Sequence, residues 1–403
     1  MGLPPVGKRI LYISGSLGLG HITRDLAIAR AIRAEIPAAE ISWLAAHPAN
    51  IVLKQEGEFP WPEPYVWDDE TIAAEQAASG FSMNLITYSL KVKKAWRRHL
   101  KVFNQLLARE HFDLIIGDET YEIAIPIHAK KLVLDVPFVM IYDFIGTESM
   151  SRNPIERLGV YLNNRKWCRN HDNPPNFLTN LFVGEAEDVP DKPFGFRMPN
   201  CRDWLKRHCH VLGYILRFNP EELKDKQTLR QQLGYGNHPL IVCSIGGTAI
   251  GKEMLELCGR AYLLLKEKLP GLQMALVCGP RLNPASLQVP KGVEVHGYVP
   301  NLYRHFAACD LAIVQGGGTT TIELTALRIP FLYFPIEGQF AQELYVTERL
   351  ARHRAGVRMS FSRTTSESLA RAALDTLNSE VNYAQIPVDG ARKAAGIVRE
   401  LLN

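Results

Sequence analysis

Residues 310–343, DLAIVQGGGTTTIELTALRIPFLYFPIEGQFAQE, constrain the fold of this 403-residue chain more than any other stretch. Asp310 to Gln315 is a mostly apolar run stopped by glycines, the pattern of a short buried strand. Gly316, Gly317 and Gly318 follow, then Thr319, Thr320 and Thr321, and a helix-like run through Leu327. Phe331 to Phe334 is a second apolar strand, ended by Pro335. Strand, glycine turn, helix and strand make half of a doubly wound α/β sheet, in which ligands sit beyond the carboxyl ends of the strands.

The chemistry of this stretch suits a diphosphate. Consecutive glycines remove every Cβ where a ligand approaches the backbone. The open N–H groups and the positive end of the following helix favour an anion, with Thr319 at the helix start. Glu323, one turn further in, offers a carboxylate to ribose hydroxyls. The same residues, Thr320-Thr321-Ile322-Glu323, also fit a capping box, which would give Glu323 a purely structural task. Gln339 and Gln342 after the next strand favour the ligand reading, because two amides there can hydrogen-bond sugar hydroxyls.

The stretch resembles the nucleotide-sugar site of GT-B glycosyltransferases, in particular family 28 (the peptidoglycan GlcNAc transferases) and family 1. Gly316 to Thr320, Glu323 and Pro335 with Gln339 fall on those families' pattern of small-residue turn, hydroxyl, helix Glu and Pro-x-x-x-Asp-Gln segment. The chain departs from family 1 at Gln315, where a His is usual, and at Gly338, where an acid precedes the Gln. The resemblance implies an α/β GT-B fold, two Rossmann-like doubly wound domains facing a central cleft. A further glycine turn, Gly246-Gly247-Thr248, stands where such a cleft needs one, and Tyr298-Val299 where family 28 recognises the uracil through main-chain groups. The implied donor-binding set is therefore Gly246, Gly247, Thr248, Val299, Gly316, Gly317, Gly318, Thr319, Glu323, Gln339 and Gln342.

At the other end of the chain, Arg9 to Gly15 reads as a strand feeding Ser16-Leu17-Gly18-Leu19-Gly20-His21, with a helix from about Ile22 to Glu35. The glycine spacing is not GxGxxG, and the next strand, Glu40 to Ala46, ends without a ribose-binding acid, which argues against an NAD site. His21 lies on the first helical turn at the strand's carboxyl end. Phe112 to Gly117 is another buried strand and delivers Asp118 and Glu119 to the same sheet edge, where a carboxylate can orient an imidazole and stabilise its protonated form. Taken singly, His21 is explained by a bond to a nearby carbonyl, and Asp118 by a cap on a helix beginning near Thr120. GT-B families carry a glycine-His motif after the first strand and an Asp about a hundred residues later. By that resemblance His21 and Asp118 are the catalytic pair, and Gly18 and Gly20 shape an acceptor-side loop.

The length gives a prior of two domains, and a chain 46% apolar and 22% charged is globular, not disordered. A formal charge of +4 is too small to argue for nucleic acid. Seven cysteines, with no CxxC among them, read as reduced packed thiols in a cytoplasmic protein. No signal peptide and no membrane-spanning run is expected. Lys91 to His111 reads as an amphipathic helix with Val92, Trp96, Leu100, Phe103 and Leu107 inward. Its first eleven residues carry six Lys or Arg and no acid, which fits either a solvated face or an anionic membrane surface. No DxD motif is present, and the adjacent pair Asp68-Asp69 reads as loop, so neither a metal nor a cofactor is expected.

The domain boundary falls after strand His210 to Tyr214, giving an acceptor-binding domain over 1–215 and a nucleotide-sugar domain over 216–403 that restarts with helix Pro220–Leu233. The last helix, Ala391 to Leu402, is expected to cross back onto the first domain, as GT-B chains tend to do. Gly146 to Trp204 shows weak periodicity and leaves the acceptor unidentified. The reading as a whole is an inverting, metal-independent transfer of a hexose or HexNAc from a UDP-type donor to an acceptor hydroxyl, lipid-linked or small. A nucleotide-sugar hydrolase or epimerase of the same fold and a non-catalytic sugar-nucleotide-binding protein are the alternatives.

Overall fold

The computed structural model describes residues 7–15, 17–62, 67, 69–171 and 173–403. Ser16 and Asp68, and with Asp68 the Asp68-Asp69 pair expected as loop, lie outside the described residues. The chain divides into two compact units, the first of Met1–Ala73, Leu85–Arg217 and Pro387–Asn403, the second of Ala74–Asn84 and Phe218–Ile386.

The first unit contains β1 (Lys8–Ile13), α1 (Gly20–Glu35), β2 (Ala39–Leu44) and α2 (Ala49–Gln55). After α3 (Thr71–Ala77) and a small hairpin of β3 (Ala78–Ser79) and β4 (Ser82–Met83), of which residues 74–84 belong to the second unit, the first unit resumes with α4 (Leu85–Leu107), β5 (Leu114–Asp118), α5 (Tyr121–His128) and β6 (Phe138–Tyr142). It continues with α6 (Pro154–His171), β7 (Leu178–Val183), α7 (Cys201–His208) and β8 (His210–Gly213). Its sheet is parallel throughout in the order β2-β1-β5-β6-β7-β8. The central strands β5 (LIIGD) and β6 (FVMIY) are buried along their whole length, which is why they read as continuous apolar runs without alternation. Tyr12 of β1 stacks on Trp43 of β2 with ring centroids 4.7 Å apart.

The second unit runs through α8 (Lys226–Gln232), β9 (Leu240–Ser244), α9 (Lys252–Lys268), β10 (Gln273–Val277), β11 (Glu294–His296) and α10 (Leu302–Ala308). It then has β12 (Leu311–Gln315), α11 (Gly318–Leu327), β13 (Phe331–Phe334), α12 (Thr347–His353), β14 (Val357–Arg358) and α13 (Ser366–Leu377). Its parallel sheet has the order β11-β10-β9-β12-β13-β14. Leu240, Val242, Phe306, Val314, Leu324, Phe331 and Leu350 share its core. Residues 74–84 belong to this unit although the sequence places them among first-domain elements. Met83 N–H donates to Glu337 O at 2.8 Å, Glu337 N–H donates to Phe81 O at 3.1 Å, and the Phe81 ring lies against Phe334 and Phe361.

The chain then returns to the first unit. Helix α14 (Gly390–Leu402) packs on α1, Gly390 N–H bonds to Tyr214 O at 3.0 Å, and Arg399 reaches Glu35 at 2.7 Å.

Two expectations are corrected, and one segment without assigned structure gains a helix. The helix expected over Pro220–Leu233 is broken into a 3-10 turn, Pro220–Leu223, and α8, because Asp225 caps the second piece by accepting from Thr228 N–H at 3.0 Å. The basic helix begins at Leu85 and stops at Leu107 instead of reaching His111, and its buried face includes His99 and Val102. The weakly periodic Gly146–Trp204 segment holds an eighteen-residue helix, α6, whose Ile155, Leu158 and Leu162 face outward. Its buried positions include the polar Glu156 and Asn164 while these apolar side chains stand outside, so no inward apolar face marks the helix in the sequence.

Candidate functional site

His21 is the second residue of α1, at the end of the loop that leaves β1, and Asp118 is the last residue of β5, paired beside β1 in the sheet. Both are buried. His21 Nδ1 lies 3.3 Å from Asp118 Oδ2, and Nε2 lies 3.7 Å from Glu119 Oε2. Gly15 makes this approach feasible: a Cβ there would stand 3.1 Å from the His21 ring and 3.0 Å from Asp118 O. Gly18 has φ 78°, a left-handed conformation that glycine adopts without strain, and Gly20 opens α1. The capping alternative for Asp118 fails, since Thr120 is the N-cap of α5 and the Asp118 carboxylate faces α1.

The centre of the cluster is Arg24, one turn along α1 from His21 and itself buried. Its Nε donates to Asp118 Oδ2 at 2.7 Å and its Nη2 to Asp118 Oδ1 at 2.5 Å, a bidentate fork. Nη1 donates to Asp143 Oδ2 at 2.8 Å, and Nη2 stands 2.9 Å from His21 Nδ1. A guanidinium only donates, so this last bond requires an unprotonated Nδ1 and places the ring N–H on Nε2, facing Glu119. Burial alone would raise the Asp118 carboxyl, but Arg24 and then His21 hold it well below the usual range. Asp143 is likewise depressed by Arg24 against burial. Glu119 goes the other way, pushed well up by burial and by the charge and hydrogen bond of Asp143. Asp25 is also raised, by burial and then by Asp118, while it accepts from Ser14 Oγ at 2.6 Å and Tyr12 OH at 3.0 Å. One guanidinium therefore faces two depressed carboxyls, Asp118 and Asp143, beside the two raised ones, Glu119 and Asp25.

Arg24, Asp25 and Asp143 have no role in the reading from sequence, which places Glu119 beside Asp118 at the sheet edge without giving it a separate task. The available signal was spacing: Arg24 is three residues past His21, and Asp143 ends the apolar run of β6. Glu119 has φ 51°, an uncommon conformation for a residue with a Cβ. Its Oε1 accepts from Tyr121 OH at 3.3 Å.

Two groups in this unit bring metal-ligating atoms within 4.8 Å of one another: His21, Glu119 and Asp143, and Glu70, His99 and Glu122. An ion in the first would meet the fixed charge of Arg24, 2.8 Å from Asp143. In the second, His99 Nδ1 lies 3.0 Å from Glu122 Oε1 and 3.3 Å from Glu70 Oε1, and Trp67 stacks on the ring at 4.1 Å. Burial opposes the charged imidazole there, but Glu122 and Glu70 raise it to about 10.

In the second unit, Gly317 is the N-cap of α11 and has open space around it, while Gly318 and Thr319 form the helix start. Gly316 permits close packing, since a Cβ there would lie 3.0 Å from Pro335 Cα. With the cap at Gly317, Thr320 and Glu323 are interior to the helix, so the capping-box alternative for Glu323 does not hold. Glu323 is buried. Gln342 Oε1 accepts from Ile336 N–H at 2.9 Å and braces the loop after β13. Gln339 sits in that loop with a buried side-chain oxygen that has no hydrogen-bond partner among the described residues. Gly246, at φ 75°, Gly247 and Thr248 follow β9, and Val299 follows β11. Gln315 at the end of β12 donates to Ile250 O at 3.3 Å, joining the β9 loop to the Gly316 turn. All seven cysteines are free thiols, and none of the described helices is long and apolar enough to cross a membrane.

Residues 241–397 match the glycosyltransferase family 28 C-terminal domain. An uncharacterised glycosyltransferase of Methanosarcina acetivorans is 30% identical over 389 residues, covering 93% of this chain and 89% of the relative. Another from the same organism is 33% identical over 57% of this chain, and the chain spans only 56% of its length. The UDP-N-acetylglucosamine–N-acetylmuramyl-(pentapeptide) pyrophosphoryl-undecaprenol N-acetylglucosamine transferase of Carboxydothermus hydrogenoformans is 24% identical over 44% of this chain and 52% of its own. Among solved structures, the glycotransferase of kitacinnamycin superposes over 100% of both chains with a TM-score of 0.61 at 14% identity, a likeness of fold. Two doubly wound parallel-sheet units, the family 28 domain across the second and a near full-length relative at 30% identity lead to one conclusion: the chain belongs to the GT-B glycosyltransferases with a family 28 C-terminal domain.

Proposed function

We propose that this glycosyltransferase moves a hexose or HexNAc from a UDP donor to an acceptor hydroxyl with inversion and without a metal ion. The observation that carries the reading is the buried His21–Asp118 pair, 3.3 Å apart at the carboxyl edge of the first sheet. His21 takes the acceptor's proton as the hydroxyl attacks the anomeric carbon, and the anionic surroundings stabilise the imidazolium that forms. For this the ring carries its resting proton on Nδ1, donated to Asp118, so the Arg24 contact at Nδ1 gives way in the reactive complex.

The donor is assigned to the second unit. The N–H groups of Gly317, Gly318 and Thr319 and the start of α11 take the diphosphate and stabilise it as it leaves, the task a metal would otherwise perform. Glu323 accepts from the ribose hydroxyls, Gln339 contacts the sugar, Gln342 braces that contact, and main-chain groups at Val299 read the base. Gly246, Gly247 and Thr248 line the same edge. The acceptor is assigned to the first unit, past Gly18 and Gly20, where Trp96, Tyr121, Phe144 and Trp167 are only half buried.

A lipid-linked acceptor is favoured over a small soluble one. The relative from Carboxydothermus hydrogenoformans is named for an undecaprenol-linked acceptor. The outward Ile155, Leu158 and Leu162 of α6 and the six exposed cations of α4 suit peripheral contact with an anionic membrane on its cytoplasmic side.

The test is UDP release from UDP-glucose and UDP-N-acetylglucosamine, with and without a lipid extract as acceptor source, followed by mass spectrometry of the products. Release that needs the extract and yields a glycosylated product is the expected result. Equal release without acceptor would make the protein a hydrolase.

A further inference from the structure

We propose that Arg281, the backbone N–H of Ala249 and the hydroxyl of Thr248 form an anion subsite for a phosphoryl group of the donor, and that Glu75 is its built-in occupant. The inference rests on the nucleotide-donor reading above. Glu75 Oε1 accepts from Ala249 N–H at 2.8 Å and from Arg281 Nε at 2.7 Å, and its Oε2 accepts from Arg281 Nη2 at 2.7 Å. A guanidinium fork joined by a main-chain amide in a glycine loop is the donor set that proteins use for phosphate oxygens.

The position suits a ligand. Ala249 lies in the loop between Gly246 and Gly251, which have φ 75° and 121°, at the carboxyl end of β9, and Arg281 follows β10. Ligands of open parallel sheets bind at that edge. The loop is tied to the Gly316 turn through Gln315 and Ile250. Thr248, the residue before Ala249, has a buried hydroxyl oxygen with no hydrogen-bond partner among the described residues, an unfavourable state that a phosphoryl oxygen would relieve. Side-chain exposures of 21% for Glu75 and 12% for Arg281 leave the pair within reach of solvent.

Glu75 comes from the 74–84 segment, whose far end is pinned by Met83 to Glu337. A carboxylate and a phosphoryl group cannot share one guanidinium fork without strong repulsion. Donor binding therefore expels Glu75 from the fork and frees the α3 end of the segment, next to the glycine loop. A fixed structural ion pair would instead leave nucleotide affinity untouched when Glu75 is neutralised.

Isothermal titration of UDP and of inorganic pyrophosphate into the full chain separates these outcomes. E75Q should tighten UDP binding by roughly tenfold, because it raises the fraction of protein with an open fork. R281Q should weaken UDP and pyrophosphate by about ten- to a hundredfold, and T248V should weaken both in the same direction. Circular dichroism confirms folding, and E75D, which keeps the charge, should stay close to wild type. If wild type and E75Q bind UDP equally, or R281Q binds as wild type, the subsite is wrong and the donor reading stands. If no folded form binds UDP, both fall.

Discussion

Arg24 Nη2 stands 2.9 Å from Nδ1 of His21, closer than the 3.3 Å that separates the same nitrogen from Asp118 Oδ2. The imidazole is thus fixed by a cation, Arg24, as well as by an anion, Asp118. Arg24 also carries the ionisation of Asp118 and Asp143. R24Q should remove their compensation and cost roughly 3–5 kcal/mol, read by urea unfolding at neutral pH. The pH dependence has a definite sign. Both carboxyls are depressed on folding, so their stabilisation is present above the unfolded value near 4 and is lost as pH falls below it. A wild-type stability curve that does not fall more steeply in acid than that of R24Q would count against this account.

H21A should leave UDP affinity nearly unchanged, because the donor contacts are assigned to other residues. Turnover on a verified acceptor should fall by about 10²–10⁴. D118N should lower turnover by less if it only orients the ring. Full turnover in H21A would end the general-base assignment while leaving the family intact.

E323A should weaken UDP binding by about ten- to a hundredfold, corresponding to roughly 1.5–3 kcal/mol for a hydrogen-bonded carboxylate. Calorimetry on the folded variant reads this directly. An unchanged dissociation constant with a lowered melting temperature would assign Glu323 to packing inside α11.

His99 gives a prediction on the alkaline side. Its folded value near 10 lies above the ordinary 6.5, so its contribution to stability is complete below 6.5 and is lost as pH rises through about 10. The loss amounts to at most about 5 kcal/mol from a shift of that size. H99Q should be less stable at pH 6 and show a flatter profile between pH 7 and 10. Parallel curves for the two proteins would refute it.

Changing Lys93, Arg97 and Lys101 to Gln should reduce sedimentation with vesicles of phosphatidylserine and phosphatidylcholine at low salt. Each surface cation contributes about 1 kcal/mol there. L158E together with L162E should have the same effect without altering the charge of α4. Wild-type protein that stays in the supernatant would refute the membrane contact.

The sheets were legible because their strands are buried on both faces and carry continuous apolar runs, as in LAIVQ of β12 and FVMIY of β6. The glycine turns were legible because only glycine suits such close approaches as Gly15 to His21 and Gly316 to Pro335. Helix α6 was not, because polar Glu156 and Asn164 are buried while Ile155, Leu158 and Leu162 are exposed, so no single apolar face stands out. Arg24 was missed for another reason. An arginine on a helix is ordinarily a solvated surface residue, and only the distant Asp118 and Asp143 make it a buried hub. The affiliation of residues 74–84 was equally hidden, since its main-chain pairing with Glu337 and the contacts of Phe81 and Glu75 reach partners more than two hundred residues away.

The return of α14 onto α1 sets an order of events during synthesis. The ribosome completes β1 to β8 long before it makes residues 387–402, which cover one side of α1. Between those times it makes the main body of the second unit, Phe218–Ile386, whose parallel sheet lies wholly within that stretch. The later-made body can therefore finish folding before the earlier one, and the apolar face of α1 waits uncovered until the end. A nascent chain halted near residue 386 should carry a protease-resistant second unit and a protease-sensitive first one.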